Sequence, residues 1–475
     1  MKKDISNLIC RETDSLRHVM KVIGEGRKKI AFVLEEHSDR IVATVTDGDI
    51  RRALLDGIEM SDCINKCMHK QFTYIKSKEL NTKTFKINEG ITIVPVVDDT
   101  MSLLGYEEIR QNSYIPVASP QLGNIELKYL TDAFLSTWIS SKGEYIDKFE
   151  KMFSEYCGVK YGVATSNGTT ALHLALLALG IGEGDEVIVP DITFAATINA
   201  VLYVGATPVI VDIEEDSWCI SPDEIEKAIT PKTKAVIPVH IYGQPCDMGR
   251  IMNIAKAHDI YVIEDCAEAH GAEYDGKKVG SFGHVNCFSF FGNKVITTGE
   301  GGMCLTDSKE LEEKIRLYKD HGMSKDKKYY HEVVGYNYRM TNMQAAIGVA
   351  QLERINEIHK WRQQLENSYY EKLQGLKGIT LQRRDLLNRK KIVWLVSIMI
   401  NGEKREAIVN CLKEIGIDIR CFFIPLSEME IYRKYTFSNK VSKQIAACGI
   451  NLPTTYDVSQ EMVDKIVAEI VKIVS

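Results

Sequence analysis

Lys294 follows an apolar, aromatic run in the segment CFSFFGNKVITTGEGG, and three glycines come within the next eight residues. A lysine amine that is desolvated in a confined loop has a lowered pKa and is a better nucleophile than a surface amine. Asp265 ends another apolar run, IYVIED. A carboxylate at the carboxyl end of a buried strand faces the crevice where α/β proteins bind ligands. These two residues predict a reactive amine and a buried acid in one pocket.

Two further segments supply groups that could hold a flat, phosphorylated ligand. TSNGTTALHLAL places Gly168 and Thr169 at the start of an apolar helix, where free N–H groups and the helix dipole bind anions. The same residues would also make an ordinary helix cap. Phe194 follows a strand in DITFAAT, and its ring could stack on the ligand. A phosphate site, an aromatic plate, a crevice carboxylate and a lysine are the parts of a pyridoxal phosphate site.

Other ligand-binding and catalytic motifs do not account for these residues. No GxGxxG follows a strand, and no GxSxG elbow occurs. The segment GAEYDGKK nearly spells a phosphate-binding loop, but Lys278 stands where a Ser or Thr must bind magnesium. Cys63 and Cys67 have no second pair of metal-ligand spacing nearby, so we expect no metal site.

The segments lie in a chain that alternates helices with short, continuously apolar strands between residue 113 and about residue 360. DEVIVP, ATPVIVDI and IYVIED are β-branched runs of the kind found in a mostly parallel sheet covered on both faces. NMQAAIGVAQLERINEIHKWRQQLE predicts one long amphipathic helix. The tail, with KIVWLVSIMI and KREAIVNCLKEIG, predicts a smaller α+β domain.

The first hundred residues differ from the rest and contain a duplicated β-β-α pattern. KIAFVLEEHSDRIVATVTDGDIRRALL reads as strand, turn, strand and helix, and ITIVPVVDDTMSLLGYEE is a second copy without the helix start. The pair resembles a CBS-domain (Bateman) module. In that family Thr46 and Asp49 of TDGD would contact a ribose, which implies an adenine or guanine nucleotide at the first copy. The alternative is that both residues only cap the helix.

Composition limits the function classes further. The 59 Lys and Arg against 65 Asp and Glu give a net charge of −6, which argues against a nucleic-acid-coating protein. No apolar run reaches the ~18 residues of a membrane helix, and the first residues are too polar for a signal peptide. The twelve scattered cysteines indicate reduced thiols and a cytoplasmic protein.

Five motifs in order resemble the DegT/StrS sugar-nucleotide aminotransferases, which are fold-type I enzymes of the aspartate-aminotransferase type. They are SNGTTALHLAL, VIVPDITFAAT, VIEDCAEAHGA, FSFFGNKVITTGEGGM and GYNYRMTNMQAAIGVAQLERI. The fold class expected is therefore α/β with a mostly parallel sheet, preceded by the α+β CBS module. The expected domains are residues 1–112, 113–360 and 361–475.

The resemblance implies pyridoxal 5′-phosphate and assigns roles to individual residues. Lys294 would hold the cofactor covalently, and Asp265 would pair with the ring nitrogen. The cofactor contacts it implies are Gly168, Thr169, Phe194, Asp265, Glu268, Ser289, Lys294 and Asn337. Asn337 would reach the phosphate of a neighbouring subunit, which implies a homodimer with shared active sites and, through the CBS module, a higher oligomer. A lysine rather than the histidine of the dehydratase branch favours transamination.

The expected substrates are L-glutamate and a nucleotide-linked 4-keto-6-deoxy sugar. Arg420 in RCFFIPLSEMEIY could pair with the substrate diphosphate. This segment, with HIYGQPCDM and EDCAEA, is similar to the branch that aminates C4 of GDP-4-keto-6-deoxy-mannose for surface polysaccharides such as the O-antigen. Cys421 departs from that branch, where proline is usual. UDP-linked 4-keto sugars, and a non-catalytic regulator sensing nucleotides through the CBS pair, are the alternatives.

Overall fold

The computed structural model describes residues 5–26, 28–79, 93–108, 114–401 and 404–474. The chain divides into two compact units, Met1–Tyr114 and Ile115–Ser475. Residues 114–123 form no helix or strand. The predicted boundary between residues 360 and 361 falls inside the helix Ile355–Leu373 of the second unit. The three domain bounds stay predictions.

The described residues of the first unit form two three-stranded sheets. Its helices and strands are β1 Ile9–Arg11, α1 Leu16–Gly26, β2 Ile30–Leu34, β3 Ile41–Thr46, α2 Asp47–Leu55, β4 Ile75–Lys76, β5 Ile93–Val97 and β6 Leu103–Glu108. The sheet orders are β1-β2-β3 and β4-β5-β6. The pairs β1-β2 and β4-β5 are parallel, and the pairs β2-β3 and β5-β6 are antiparallel. Each antiparallel pair has a register shift at the last residue of its first strand, at Leu34 and at Val97.

The predicted strand-turn-strand-helix pattern of the first copy is confirmed, and so is the hairpin of the second copy. The TDGD turn begins α2 because Thr46 and Asp49 form a capping box. Thr46 Oγ1 accepts a bond from the Asp49 amide, and Asp49 Oδ2 accepts one from the Thr46 amide at 2.9 Å. One face of β2 and β3 packs with α1 and with Ile50 and Ala53 of α2 in one buried cluster.

The second unit is built on a seven-stranded sheet with helices on both faces. Its helices are α3 Asn124–Leu135, α4 Glu144–Cys157, α5 Gly168–Ala178, α6 Ala196–Tyr203, α7 Pro222–Ala228, α8 Met248–His258, α9 Lys309–Lys319, α10 Asn342–Glu353, α11 Ile355–Leu373, α12 Lys404–Glu414, α13 Lys440–Cys448 and α14 Gln460–Val474.

The strands of the second unit fall into three sheets. They are β7 Tyr161–Thr165, β8 Glu186–Pro190, β9 Thr207–Val211, β10 Thr233–Val236, β11 Tyr261–Asp265, β12 Glu273–Tyr274, β13 Lys277–Lys278, β14 Val285–Ser289, β15 Gly302–Thr306, β16 Ile379–Leu381, β17 Arg389–Lys390, β18 Val396–Ile400, β19 Arg420–Cys421 and β20 Gly449–Leu452. The large sheet has the order β7-β15-β14-β11-β10-β8-β9.

The prediction of a mostly parallel sheet is confirmed. Only β15 runs antiparallel to its neighbours in the large sheet. Consecutive residues of a strand point to opposite faces, and both faces are apolar. Val262 packs into one buried cluster and Ile263 into the other. This two-sided burial explains why the strands read as continuous apolar runs.

The C-terminal part forms an antiparallel sheet of order β16-β18-β20-β19, packed against α11, α12 and α14. The predicted strand KIVWLVSIMI is wrong over its first half, because only Val396–Ile400 pairs as a strand of this sheet. Among the described residues, no helix combines the length and apolar character needed to cross a bilayer.

The single long helix predicted over residues 342–366 is also wrong. Two helices, α10 and α11, meet at Arg354, whose φ of −103° and ψ of 5° leave helical geometry. The Arg354 guanidinium donates to Glu126 at 2.9 Å and to Glu357 in the first turn of α11 at 3.3 Å. The long-range contact with Glu126 fixes a break that the apolar periodicity of the sequence does not reveal.

Candidate active site

A pocket of about 460 Å³ lies at the carboxyl ends of the strands of the large sheet. The segments that follow β7, β8, β11 and β14 converge there, as expected for an α/β sheet. Eight residues singled out from the sequence line it: Gly168, Thr169, Phe194, Asp265, Glu268, Ser289, Lys294 and Arg420. The structure therefore brings into one cavity side chains that lie up to 252 positions apart in the sequence.

Asp265 is the buried acid of the pocket. It ends β11, and its carboxylate accepts hydrogen bonds from Thr197 Oγ1 at 2.8 Å and from the Ala267 amide at 3.1 Å. Burial raises the pKa of Asp265, while the bonds from Thr197 and Ala267 and the positive charge of Lys294 oppose that rise. A cationic N–H group placed in the cavity would stabilise the ionised carboxylate further.

Lys294 lies in a tight turn after β14, where its amide donates to the Phe291 carbonyl at 2.9 Å. Its Nζ is 3.9 Å from Glu268 Oε1 and 4.2 Å from the centroid of the Trp394 ring. Burial lowers the pKa of the Lys294 amine, against the opposing charges of Glu268 and Asp265. The lowered pKa favours the neutral, nucleophilic form of this amine relative to a surface lysine.

Glu268 is buried beside this amine and shares its environment. Burial raises the pKa of Glu268 to about 7, while Lys294 and a hydrogen bond from the Tyr242 amide oppose the rise. That bond, 2.8 Å long, comes from a residue with φ of +50°, a conformation that is uncommon for a non-glycine residue. Strained backbone of this kind is concentrated at functional sites.

The N-terminus of α5 lines the same pocket as Asp265 and presents free backbone amides that could bind an anion. Gly168 and Thr169 lie in the first turn, where the helix itself supplies no acceptor for their amides. A Cβ added at Gly168 would lie 2.7 Å from Ser289 Cβ, so this approach of α5 to the end of β14 requires glycine. Gly302 is constrained in the same way, since a Cβ there would lie 2.3 Å from the Asn167 carbonyl oxygen. Gly302, one of the three glycines after Lys294, therefore allows a close approach of two chain segments beside the pocket.

Three predicted residues lie at the rim or outside the pocket. Phe194 is 61% exposed and has its ring centroid 6.1 Å from that of Phe423. Arg420 is exposed on β19 and lines the opening. Asn337 is exposed, does not line this pocket, and accepts a bond from Arg339 Nε at 3.0 Å.

Three residues that contact Asp265, Glu268 or Lys294 are not indicated by the sequence motifs: Thr197, Tyr242 and Trp394. Thr197 lies three residues after Phe194 in the same motif and bonds to Asp265. Its spacing of four positions from Thr193, which places both hydroxyls on one face of a helix, is the feature of the sequence that could have indicated it. Tyr242 positions Glu268 through its backbone. Trp394 comes from an apolar run whose sequence gives no sign that the indole faces a pocket.

A buried cluster of His240, Glu264 and Cys266 lies behind Asp265 and offers three atoms of metal-ligand type. Hydrogen bonds already use the first two groups. His240 Nδ1 accepts from the Cys246 amide at 3.0 Å, which leaves Nε2 to donate to Glu264 at 2.9 Å. Glu264 also accepts from three backbone amides after β13. The cluster is accounted for as a structural hydrogen-bond network.

These residues fit pyridoxal phosphate: a buried carboxylate for the ring nitrogen, a glycine-dependent anion surface for the phosphate, and a desolvated amine between them. The fold and the site define a fold-type I pyridoxal phosphate enzyme. The chain belongs to the DegT/DnrJ/EryC1/StrS aminotransferase family, whose model matches residues 120–471. The protein is a pyridoxal phosphate-dependent sugar aminotransferase similar to GDP-perosamine synthase.

Relatives and solved structures agree with this placement. GDP-perosamine synthase of Escherichia coli O157:H7 is 46% identical over 351 residues, which cover 74% of this chain and 96% of the relative. The Caulobacter vibrioides enzyme of the same name is 44% identical over 358 residues, covering 74% and 96%. The pyridoxal phosphate form of the sugar aminotransferase Spr1654 from Streptococcus pneumoniae has a TM-score of 0.71 at 29% identity, covering 76% and 98%.

Proposed function

We propose that this protein transfers the amino group of L-glutamate to C4 of GDP-4-keto-6-deoxy-mannose and so makes GDP-perosamine. The observation that carries the proposal is the 46% and 44% identity to two GDP-perosamine synthases over nearly their whole length. The product would serve surface polysaccharide synthesis such as that of the O-antigen. The twelve cysteines are all unpaired thiols, which fits the proposed cytoplasmic location.

The cofactor supplies an electron-withdrawing ring that stabilises negative charge at the carbon bearing the amino group. Asp265 would hold a proton on the ring nitrogen, and Thr197 would position that carboxylate. Gly168, Thr169 and Ser289 would bind the phosphate, with Phe194 stacked on the ring. Glu268 would contact the ring hydroxyl.

Lys294 would be both the covalent attachment point and the proton carrier. Its Nζ would take a proton from the α-carbon of L-glutamate, and in the second half of the reaction it would return one at C4 of the sugar. The lowered pKa of the amine, caused by burial, suits this double role. Arg420 at the rim would pair with the diphosphate of the sugar nucleotide.

Supplying GDP- and UDP-linked 4-keto-6-deoxy sugars separately, each with L-glutamate, tests the substrate. We expect the 4-amino product from the GDP sugar, with kcat/KM at least about tenfold higher than for the UDP sugar, because the site would contact the nucleotide. Mass spectrometry of the sugar nucleotides measures the amount of 4-amino product formed from each sugar over time. Preferential turnover of the UDP sugar would favour a UDP-linked 4-keto sugar as the substrate. The UDP linkage is supported by an Acidithiobacillus ferrooxidans UDP-N-acetyl-3-dehydro-alpha-D-glucosamine 3-aminotransferase, 41% identical over 313 residues, whose name places its amino transfer at C3 rather than C4.

We also propose a homodimer in which each subunit lends Asn337 to the partner's phosphate site. Asn337 lies outside the pocket of its own chain and is exposed. A patch of large apolar side chains on and after α3 is exposed as well: Leu127, Phe134, Leu135, Trp138 and Ile139. Exposed apolar side chains in such a cluster mark protein–protein contact surfaces.

For the first unit we propose a CBS-domain pair that binds an adenine or guanine nucleotide and supports assembly beyond the dimer. Its support is the repeated pairing pattern of the two sheets. Thr46 and Asp49 bond to each other, and Asp49 Oδ1 accepts from Arg52 at 2.6 Å, so these groups also satisfy the capping interpretation.

Calorimetry of the full chain with adenine and guanine nucleotides distinguishes these interpretations of the first unit. We expect binding heat with at least one nucleotide, and loss of that heat in Asp49→Ala, because the ribose contact needs the carboxylate. Arg51→Ala, which removes an exposed ion pair with Asp47 on the same helix, is the matched control and should bind normally. Absence of heat with every nucleotide would leave Thr46 and Asp49 as a helix cap.

A further inference from the structure

The amine of Lys294 lies on the face of an aromatic ring that comes from the C-terminal part of the chain. Its Nζ is 4.2 Å from the centroid of the Trp394 indole, well inside the ~6 Å range of a cation–π contact. Tryptophan is the strongest partner for such a contact, and the effect grows when the cation is desolvated. Both side chains line the pocket.

Trp394 is held in place from three directions. Its Nε1–H donates to the Asn293 carbonyl at 2.8 Å, which ties the ring to the turn that carries Lys294. Its own carbonyl accepts from Arg362 Nη1 at 2.7 Å. The ring of Tyr242 stacks on it at 6.1 Å and 15°. Arg362 is buried and has no carboxylate partner among the described residues, so this bond to the Trp394 carbonyl is its main polar contact.

We infer that Trp394 is a positioning residue that holds the Lys294 amine whenever the amine is not joined to the cofactor. The inference rests on the proposed covalent role of Lys294. A transaminating lysine is released in each half of the reaction and must stay beside the reacting carbon. The indole face on one side and Glu268 on the other define a holding position that a free, charged amine would occupy.

The charged groups around this position act in opposite directions. The carboxylates of Asp265 and Glu268 favour the charged amine, whereas burial disfavours it. His270, close behind the pocket, has a pKa lowered to about 3 by burial and by nearby Lys294, so it is neutral and adds no charge. The Trp394 face adds to the stabilisation of the ammonium without introducing another titrating group.

The test replaces Trp394 by tryptophans with increasing numbers of ring fluorines, which withdraw electron density from the π face but keep the shape and the Nε1–H. Apoenzyme is labelled with an acylating reagent across a pH series, and mass spectrometry follows Lys294 against the exposed Lys151. We expect the midpoint pH for Lys294 labelling to fall progressively, by about one unit for the fully fluorinated ring, because the charged amine loses its partner.

Fluorination at Trp218, which is buried against Phe422 and does not line the pocket, is the matched control and should leave the Lys294 midpoint unchanged. Borohydride reduction of each protein with pyridoxal phosphate shows separately which lysine carries the cofactor. If Lys294 carries it but the midpoint does not move, the role of Trp394 is overturned. If another lysine carries it, the proposed function of Lys294 fails instead.

Discussion

Replacing Lys294 by alanine is expected to lower the rate of sugar amination by on the order of 10⁴-fold, the upper end of general acid–base contributions. The reason is that one side chain would supply both the covalent attachment and the proton carrier. No other lysine lines the pocket among the described residues. Single-turnover measurement of each half-reaction, with L-glutamate and then with the keto sugar, should show that both halves are lost together.

Lys277→Ala is the matched control for this prediction. Lys277 lies on an exposed hairpin strand in the same unit and does not line the pocket, so its loss should leave both half-reactions unchanged. Lys294→Arg adds a second comparison, since it keeps a positive charge near Glu268 but cannot act as a proton carrier. Substantial turnover in Lys294→Ala would contradict the assignment, whereas equal loss in Lys277→Ala would indicate a general folding defect.

The convergence of these groups on one pocket could be predicted from the sequence because each lies in a short motif with a local physical signal. Lys294 follows an aromatic strand, Asp265 ends an apolar strand, and Gly168 begins an apolar helix. The parallel sheet then brings the carboxyl ends of the strands together, so four separate motifs predict one pocket. The residues that position these groups lack such a signal.

Trp394 illustrates why the rest of the site could not be predicted. Its indole reaches Lys294 from 100 residues further along the chain, and its apolar surroundings resemble any buried strand. The break at Arg354 has a similar cause, because Glu126, more than 200 positions away, fixes the guanidinium where the helix ends. Local periodicity in the sequence cannot reveal contacts between residues this far apart. For the same reason the sequence does not show that β18 begins only at Val396.

Asp265→Asn is expected to lower kcat by on the order of 10²- to 10³-fold, comparable to the loss of a preorganised electrostatic contact. The amide keeps the size of the side chain but removes the negative charge that would hold a proton on the ring nitrogen. Without that proton the ring withdraws electrons less well. Thr197→Val should cost less, about tenfold, because it removes one of two hydrogen bonds to a carboxylate that is still present.

Asp265→Asn removes the negative charge of the carboxylate, whereas Thr197→Val removes only a hydrogen bond that orients it. Comparing the two variants shows whether the charge or the orientation of Asp265 matters more. If charge is what matters, Asp265→Asn should change the pH dependence of the bound cofactor's absorbance, whereas Thr197→Val should mainly weaken cofactor binding in a spectroscopic titration. Asp275→Asn is the control: Asp275 is exposed at a hairpin with φ of +49°, a conformation that asparagine adopts readily. Equal activity of Asp265→Asn and the unaltered enzyme would contradict the proposed pairing, because a neutral amide cannot replace a carboxylate in holding a proton on the ring.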